Sequence, residues 1–246
     1  MATRESFRDR AVVVRSYDFG EADRVIVLLT QNHGLVRSVA KGVRRSKSRF
    51  GSRLQTFVDI DVQLYPGRNL ATITQADTVN YYGSGIIDDY DKYTAGCAIL
   101  ESAERLAYAG ADDDPFLFNA VTEAFGELQS NEHTTLVLDK FILRATEHSG
   151  WGLALFDCAN CRKPGPHHTF HPGIGGAVCN NCRPQGSAEV QEQTLHVMWL
   201  LQNGHLASAC DLADAHISAQ VHRLTSAHLQ WHLEQGVKSL KIMEQA

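Results

Sequence analysis

The chain has 246 residues, 43% of them hydrophobic and 21% charged, a composition typical of a globular protein rather than a disordered or fibrous one. Its formal net charge of −5 argues against a protein that coats nucleic acid with its whole surface. The N-terminal stretch MATRESFRDRAVVV is too charged, and its apolar run too short, for a signal peptide or a membrane span. We therefore predict a cytoplasmic protein without membrane contact.

Five segments in the first 80 residues are predicted to be strands, because their apolar residues are β-branched or alternate with polar residues. They cover residues 11–17, 23–30, 34–42, 57–65 and 70–77. In the fourth segment, the even-numbered positions from Val58 to Leu64 are all apolar, whereas Asp59 and Asp61 lie on the opposite side. Five strands in so short a stretch favour a closed barrel, because closure removes exposed sheet edges.

The connection between the third and fourth strands is strongly cationic. Residues 37–53, which we call the basic window, contain no acidic residue and hold seven cations: Arg37, Lys41, Arg44, Arg45, Lys47, Arg49 and Arg53. Residues 1–80 as a whole hold 13 Lys+Arg against 8 Asp+Glu, while the rest of the chain holds 10 against 20. This asymmetry predicts one cationic surface on an otherwise acidic molecule.

A run of like charge is most often a solvated loop. In the basic window, however, small residues such as Gly42 and Ser46 permit close approach to phosphate, and Phe50 offers a ring that could stack on an unpaired base. Further candidates flank the window: the cations Arg10, Arg15, Arg24 and Arg68, and the aromatic residues Tyr17, Phe19 and Tyr65. We therefore predict binding to nucleic acid that is largely independent of sequence and sensitive to salt.

From about residue 86 the apolar spacing becomes helical. Three helices are predicted around residues 93–103, 118–128 and 138–145, and two more over 188–203 and 217–231. Asp114 and Pro115 are suited to the start of the second helix, and Gly150 and Gly152 to the end of the third. The sequence thus predicts an α+β chain, with a β-barrel domain at 1–80 and a helical domain at 81–246.

Four cysteines inside the helical region form the pattern C-x2-C-x17-C-x2-C: Cys158, Cys161, Cys179 and Cys182. Two residues between cysteines allow one tight turn to present both sulfurs to the same ion, and two such turns supply a tetrahedron of thiolates. Because the intervening loop is rich in Gly and Pro and poor in apolar residues, metal binding would supply the free energy that orders it. We predict one structural Zn²⁺ held in an insert at about 157–187.

A zinc-dependent enzyme acting on nucleic acid, such as a nuclease or deaminase, is the alternative. It would use His167, His168 or His171 at an open zinc position. Four thiolates fill a tetrahedron, and none of these three histidines stands in an H-x-E or H-E-x-x-H relation to a Glu that could act as a general base. The sequence favours a non-enzymatic protein; a structural adaptor with protein partners is a third possibility.

Three motifs occur in a specific order along nearly the whole chain: G-E-A-D at 20–23, A-K-G-x-R-R-S-K-S-R at 40–49, and the paired C-x-x-C. In this combination the chain resembles the RecO family of bacterial recombination and DNA repair proteins. The resemblance implies an N-terminal oligonucleotide-binding (OB) barrel, a helical domain and an inserted zinc module. It also implies that the four cysteines are zinc ligands and that the cations of the basic window from Lys41 to Arg53 contact DNA.

The resemblance further implies a role as a recombination mediator. Proteins of this family bind single- and double-stranded DNA, anneal complementary strands and work with RecR. Together they help to load RecA onto strands covered by single-strand-binding protein, whose acidic C-terminal tail docks in the helical domain. We therefore expect these partners, and an association with the nucleoid through DNA.

Overall fold

The computed structural model describes residues 5–108, 114–233 and 236–243. The chain forms two compact units, one up to Ser130 and one from Asn131 onward. The first unit contains the predicted barrel together with two helices that the sequence predicts to be part of the helical domain. The predicted domain boundary at residue 80 stays a prediction. The ends of the predicted domain ranges, residues 1–4 and 244–246, lie outside the described residues.

The first unit begins with a closed five-stranded barrel, as predicted. Its strands are β1 (Phe7–Phe19), β2 (Asp23–Thr30), β3 (Leu35–Ala40), β4 (Val58–Tyr65) and β5 (Ala71–Tyr81). The order around the barrel is β1-β2-β3-β5-β4, closed by antiparallel pairing of β4 with β1. β3 pairs in parallel with β5, and the connection from β3 to β4 contains most of the basic window. The arrangement is that of an OB-like barrel.

Alternation along the strands determines the barrel interior. The even-numbered residues from Val58 to Leu64 are buried inside the barrel, together with Ile26 and Leu28 of β2. Side chains of successive strand residues point to opposite faces, so the odd-numbered residues of β4 lie outside the barrel. Among them, Asp59 is buried and is held by Arg10 of β1.

Two helices complete the first unit: α1 (Tyr90–Ala107) and α2 (Phe116–Ser130). The Asp89 side chain caps α1 by accepting hydrogen bonds from the next helical amides, and Asp114 accepts one from the amide of Phe116, as expected of N-cap residues. Phe57, just before β4, packs edge-on against Phe125 of α2 at 5.2 Å between ring centroids. A Cβ at Gly96 of α1 would lie 2.5 Å from the Phe57 ring, so this close approach requires glycine.

The second unit is mainly helical. It contains α3 (Thr134–Thr146), α4 (Glu192–Gln202), α5 (Leu206–Leu212), α6 (Ala215–His232) and α7 (Lys238–Met243). α3 packs against α4, α5 and α6, and it is buried on nearly every side. α3 ends in a turn over Glu147–Trp151, in which Gly150 has a φ of 85°; this left-handed conformation is accessible mainly to glycine.

The chain between α3 and α4 forms a small sheet. Its three strands, β6 (Thr169–His171), β7 (Gly176–Ala177) and β8 (Ala188–Glu189), are arranged in the order β7-β6-β8. The sequence prediction missed this sheet, α5 and α7, because two- and three-residue strands and helices of two turns carry too few residues to show a period. It also began the fourth helix at residue 188, where β8 lies. None of the described helices has the length and hydropathy that crossing a membrane requires.

Candidate nucleic-acid interface and metal centre

The basic window runs from β3 past the turn between β1 and β2. The amide of Gly42 donates to the Asp23 carboxylate at 2.7 Å, and the amide of Arg44 donates to the carbonyl of Ala22 at 3.0 Å. Further along, Phe50 and Leu54 insert their side chains into the barrel core. The window is therefore a loop fastened at both ends, and its cations are carried on a fixed backbone.

Three cations of the window are exposed and unneutralised. Lys41, Arg45 and Lys47 all point to solvent. Within the described residues, none of the three makes a side-chain hydrogen bond or an ion pair. Such cations retain their full attraction for external anions, because no internal carboxylate offsets it.

The other four cations of the window have partners, and only one of these is a carboxylate. Arg44 lies 3.3 Å from Asp18. Arg37 donates to the Tyr17 hydroxyl at 2.9 Å, which raises the pKa of its guanidinium. The remaining two guanidinium groups donate only to backbone carbonyls, Arg49 to Ile73 and Arg53 to Arg49. A neutral partner leaves the positive charge uncompensated.

The flanking arginines differ from those of the window. Arg10 is bound to Asp59, Arg15 to Glu104 at 2.8 Å and Arg24 to Asp18 at 3.0 Å. Their charge is largely neutralised by the chain itself, so they do not extend the free cationic surface as predicted from the sequence. Arg68, in the turn between β4 and β5, is exposed and makes no ion pair within the described part of the chain.

The stacking role predicted for Phe50 does not fit its position. Its side chain is 1% exposed and belongs to the barrel core, and the Arg49 guanidinium lies 4.8 Å from its ring centroid. A buried ring has no face to offer a base. The other three predicted rings are accessible: Tyr17 is 38% exposed, and Phe19 and Tyr65 are each 51% exposed.

Sequence reasoning missed the role of two carboxylates beside the window. Asp18 binds both Arg24 and Arg44, and Asp23 holds the amide of Gly42. Both residues flank the turn signal between the first two strands. That signal marks a turn but does not indicate which distant loop the carboxylates contact.

The four cysteines meet in one cluster. Their sulfur atoms all lie within 4.8 Å of one another, and those of Cys161 and Cys179 are 3.8 Å apart. A regular tetrahedron with metal–sulfur bonds of about 2.3 Å has edges of about 3.8 Å, so the spacing fits a four-thiolate metal site. In the part of the chain that the structure describes, no other group of three or more His, Cys, Asp and Glu residues meets this description.

Two tight turns present the sulfurs. The amide of Arg162 donates to the carbonyl of Cys158 at 2.8 Å, and the amide of Cys182 donates to that of Cys179 at 3.0 Å. Arg162 has a φ of 59°, an uncommon value for a residue with a side chain. The cluster's own apolar core is limited to Val178 beside the cysteines themselves. Apolar burial alone therefore contributes little to its order.

Hydrogen bonds in the cluster affect the cysteines differently: they favour the thiolate, the form that binds metal, at Cys158 but not at Cys182. Burial opposes ionisation of Cys158, but hydrogen bonds with backbone groups of Cys161, Cys179 and Asn160 outweigh it and lower the thiol pKa to about 6. A hydrogen bond to Asn160 lowers the pKa of Cys182, yet interactions with the three neighbouring sulfurs raise it to about 12. Only a cation can stabilise four thiolates at this spacing.

The loop histidines lie outside the cysteine cluster. His167 is buried and its Nε2 bonds the carbonyl of Lys163 at 2.9 Å. His171 packs edge-on against Trp231 of α6, at 5.6 Å between ring centroids. These contacts are structural, and the four sulfurs by themselves complete a tetrahedral ligand set.

Comparison with protein-family models identifies the chain. The model described as Recombination protein O N terminal matches residues 1–82, and the model described as Recombination protein O C terminal matches residues 87–241. The two matches lie in the order in which the barrel and the helical part follow one another, and together they cover almost the whole sequence. The chain therefore belongs to the recombination protein O (RecO) family, whose role is that of a mediator in DNA recombination and repair.

Proposed function

We propose that this protein binds the sugar–phosphate backbone of single- and double-stranded DNA through its basic window. The contacts are Arg37, Lys41, Arg44, Arg45, Lys47, Arg49 and Arg53. One observation carries the proposal: Lys41, Arg45 and Lys47 are exposed and unpaired within the described residues, whereas the arginines on the neighbouring strands are bound to carboxylates.

Binding of this kind accounts for strand annealing without catalysis. Two complementary strands repel each other through their phosphates, and a cationic surface that holds both reduces this repulsion. Base pairing then proceeds from the strands themselves, and no nucleotide hydrolysis is required. The sequence carries no G-x-x-x-x-G-K-[ST] motif, which agrees with this mechanism.

Family membership supports the wider role. We infer that the protein acts with RecR to help load RecA onto DNA covered by single-strand-binding protein. The acidic tail of single-strand-binding protein would dock on the helical part. The protein would associate with the nucleoid by way of DNA.

We also propose that the four cysteines hold one structural Zn²⁺. Thiolate ligands in a closed tetrahedron suit zinc, and the sulfur spacing supports this assignment. When bound, the ion would offset two of the four negative charges and tie the two cysteine turns together. Cys158 and Cys161 hold one side of the site, and Cys179 and Cys182 hold the other.

The DNA proposal is tested by neutralising free and paired cations separately. The double variant Arg45→Gln/Lys47→Gln removes two free charges. Its affinity for a labelled single strand should fall by about tenfold or more, and annealing should slow in parallel. Arg8→Gln is the control for the single variant Arg45→Gln, which removes the same charge, because Arg8 is exposed but lies 2.6 Å from Asp61. The affinity of Arg8→Gln should change much less. Equal losses in the two single variants would contradict the assignment of the window as the contact surface.

A further inference from the structure

The end of β1 exposes two neighbouring aromatic rings on one face. Residues 15–19 are all exposed, and alternate residues of a strand share a face, so Arg15, Tyr17 and Phe19 form a row. Consecutive side chains of such a row are about 7 Å apart, close to the length of one nucleotide in an extended strand. Two rings at this spacing match successive bases of an unpaired strand.

Two arginines hold the first ring in position. Arg37 of β3 reaches across β2 and donates to the Tyr17 hydroxyl at 2.9 Å. The guanidinium carbon of Arg15 lies 5.9 Å from the Tyr17 ring centroid, and Arg15 is itself bound to Glu104 of α1 at 2.8 Å. A ring that is already held loses little freedom when a ligand stacks on it.

The row of rings lies next to the basic window. Arg37 belongs to the window, and the window backbone contacts the turn that follows Phe19 through the amides of Gly42 and Arg44. Cations for phosphates and rings for bases therefore occur on the same part of the barrel. This combination is typical of surfaces that bind single strands, and Phe50, the ring inside the window, is buried and cannot contribute.

We propose that Tyr17 and Phe19 form a stacking platform for the unpaired bases of a single strand whose backbone lies on the basic window. This inference rests on the proposed DNA-binding function and specifies it further. Bases in a duplex are already paired and stacked, so the platform is used only by single strands. The window then supplies affinity for any DNA, and the platform supplies the preference for unpaired bases.

The test compares two ligands of equal charge: a labelled 20-nucleotide oligothymidylate and an abasic deoxyribose-phosphate oligomer of the same length. Fluorescence anisotropy at fixed salt gives both affinities for the full-length protein. The wild type should bind the strand with bases more tightly, by about fivefold or more for each stacked base. In Tyr17→Leu/Phe19→Leu this preference should be lost, while affinity for the abasic strand stays within about twofold of the wild type.

Two further variants separate ring chemistry from folding. Phe19→Trp keeps a ring and should keep the preference, whereas Tyr90→Leu removes an exposed ring from the first turn of α1 and should change nothing. The proposal is overturned if the wild type binds both ligands equally, or if Tyr17→Leu/Phe19→Leu keeps the wild-type preference. If the proposed DNA-binding function itself were wrong, the result would be different: Arg45→Gln/Lys47→Gln would bind both ligands as tightly as the wild type does.

Discussion

Two segments of the molecule are poor in apolar residues, and they are ordered in different ways. The basic window is fastened to the barrel by the buried side chains of Phe50 and of Leu54, the residue that directly follows it. The four-cysteine cluster has little more than Val178 to bury beside its own sulfurs. The first is held by hydrophobic burial and keeps three unpaired charges at its surface, whereas we expect the second to depend on a bound metal ion. The fold of the window should therefore survive loss of its ligand, and that of the cysteine cluster should not.

Metal removal should produce the largest effect. Structural zinc sites contribute on the order of 10 kcal/mol to folding, so a strong chelator, or Cys158→Ser, should unfold the segment from Cys158 to Cys182. The hydrogen-exchange rates of its backbone amides should rise sharply, and the measured zinc content should fall from one ion per chain towards none. Because the window is fastened independently, single-strand affinity should stay within a few-fold of the wild type.

Cys210→Ser is the control for that experiment. Cys210 lies in α5, outside the cluster, so this variant should keep its zinc and its exchange pattern. If Cys158→Ser lost as much DNA affinity as Arg44→Glu, the independence of the two segments would be refuted.

Truncation of Phe50, whose buried ring anchors the basic window to the barrel, should have the second-largest effect. Phe50→Ala should lower the free energy of unfolding of the first unit by about 3–5 kcal/mol, because it empties a fully buried ring site. Urea denaturation followed by circular dichroism measures this loss. Phe50→Leu keeps most of the apolar contact, so its loss of stability should be smaller. Its affinity for DNA should be nearly unchanged. A large loss of single-strand affinity in stable Phe50→Leu protein would instead support base stacking by Phe50.

The smallest effect concerns the carboxylate beside the window. Asp18 pairs with Arg24 and Arg44, and exposed pairs of this kind are worth up to about 1 kcal/mol. Asp18→Asn should release Arg44 for phosphate and strengthen single-strand binding by up to about fivefold. Asp77→Asn makes the same change in net charge near Arg8. Equal gains in the two variants would assign the effect to net charge rather than to Arg44.

The sequence predicted those features that depend on local patterns. Alternation in β4 and helical spacing in α1, α2, α3 and α6 identified most of the elements, and the C-x-x-C spacing identified the cysteine cluster. The sequence did not predict which cations are neutralised. In the sequence, Arg10 and Arg15 could not be told apart from an unpaired cation such as Lys47. Their partners Asp59 and Glu104 are 49 and 89 residues away along the chain.

Phe50 illustrates the opposite difficulty. A single aromatic residue among cations suggests a stacking platform, but one apolar residue has no period to reveal that it points inward. Its burial results from tertiary packing, which places the ring in the barrel core. Local charge predicted a DNA-binding loop, and tertiary packing determined which of its side chains are accessible.

Salt dependence of single-strand binding tests the central claim most directly. For the wild type, the logarithm of the association constant should fall linearly with the logarithm of salt concentration, with a slope of about −0.7 for each phosphate neutralised. In Lys41→Gln/Arg45→Gln/Lys47→Gln the slope should be shallower by about 2, because three contacts are lost. An unchanged slope in this variant would show that the free cations of the window do not hold the DNA backbone, and would contradict the account.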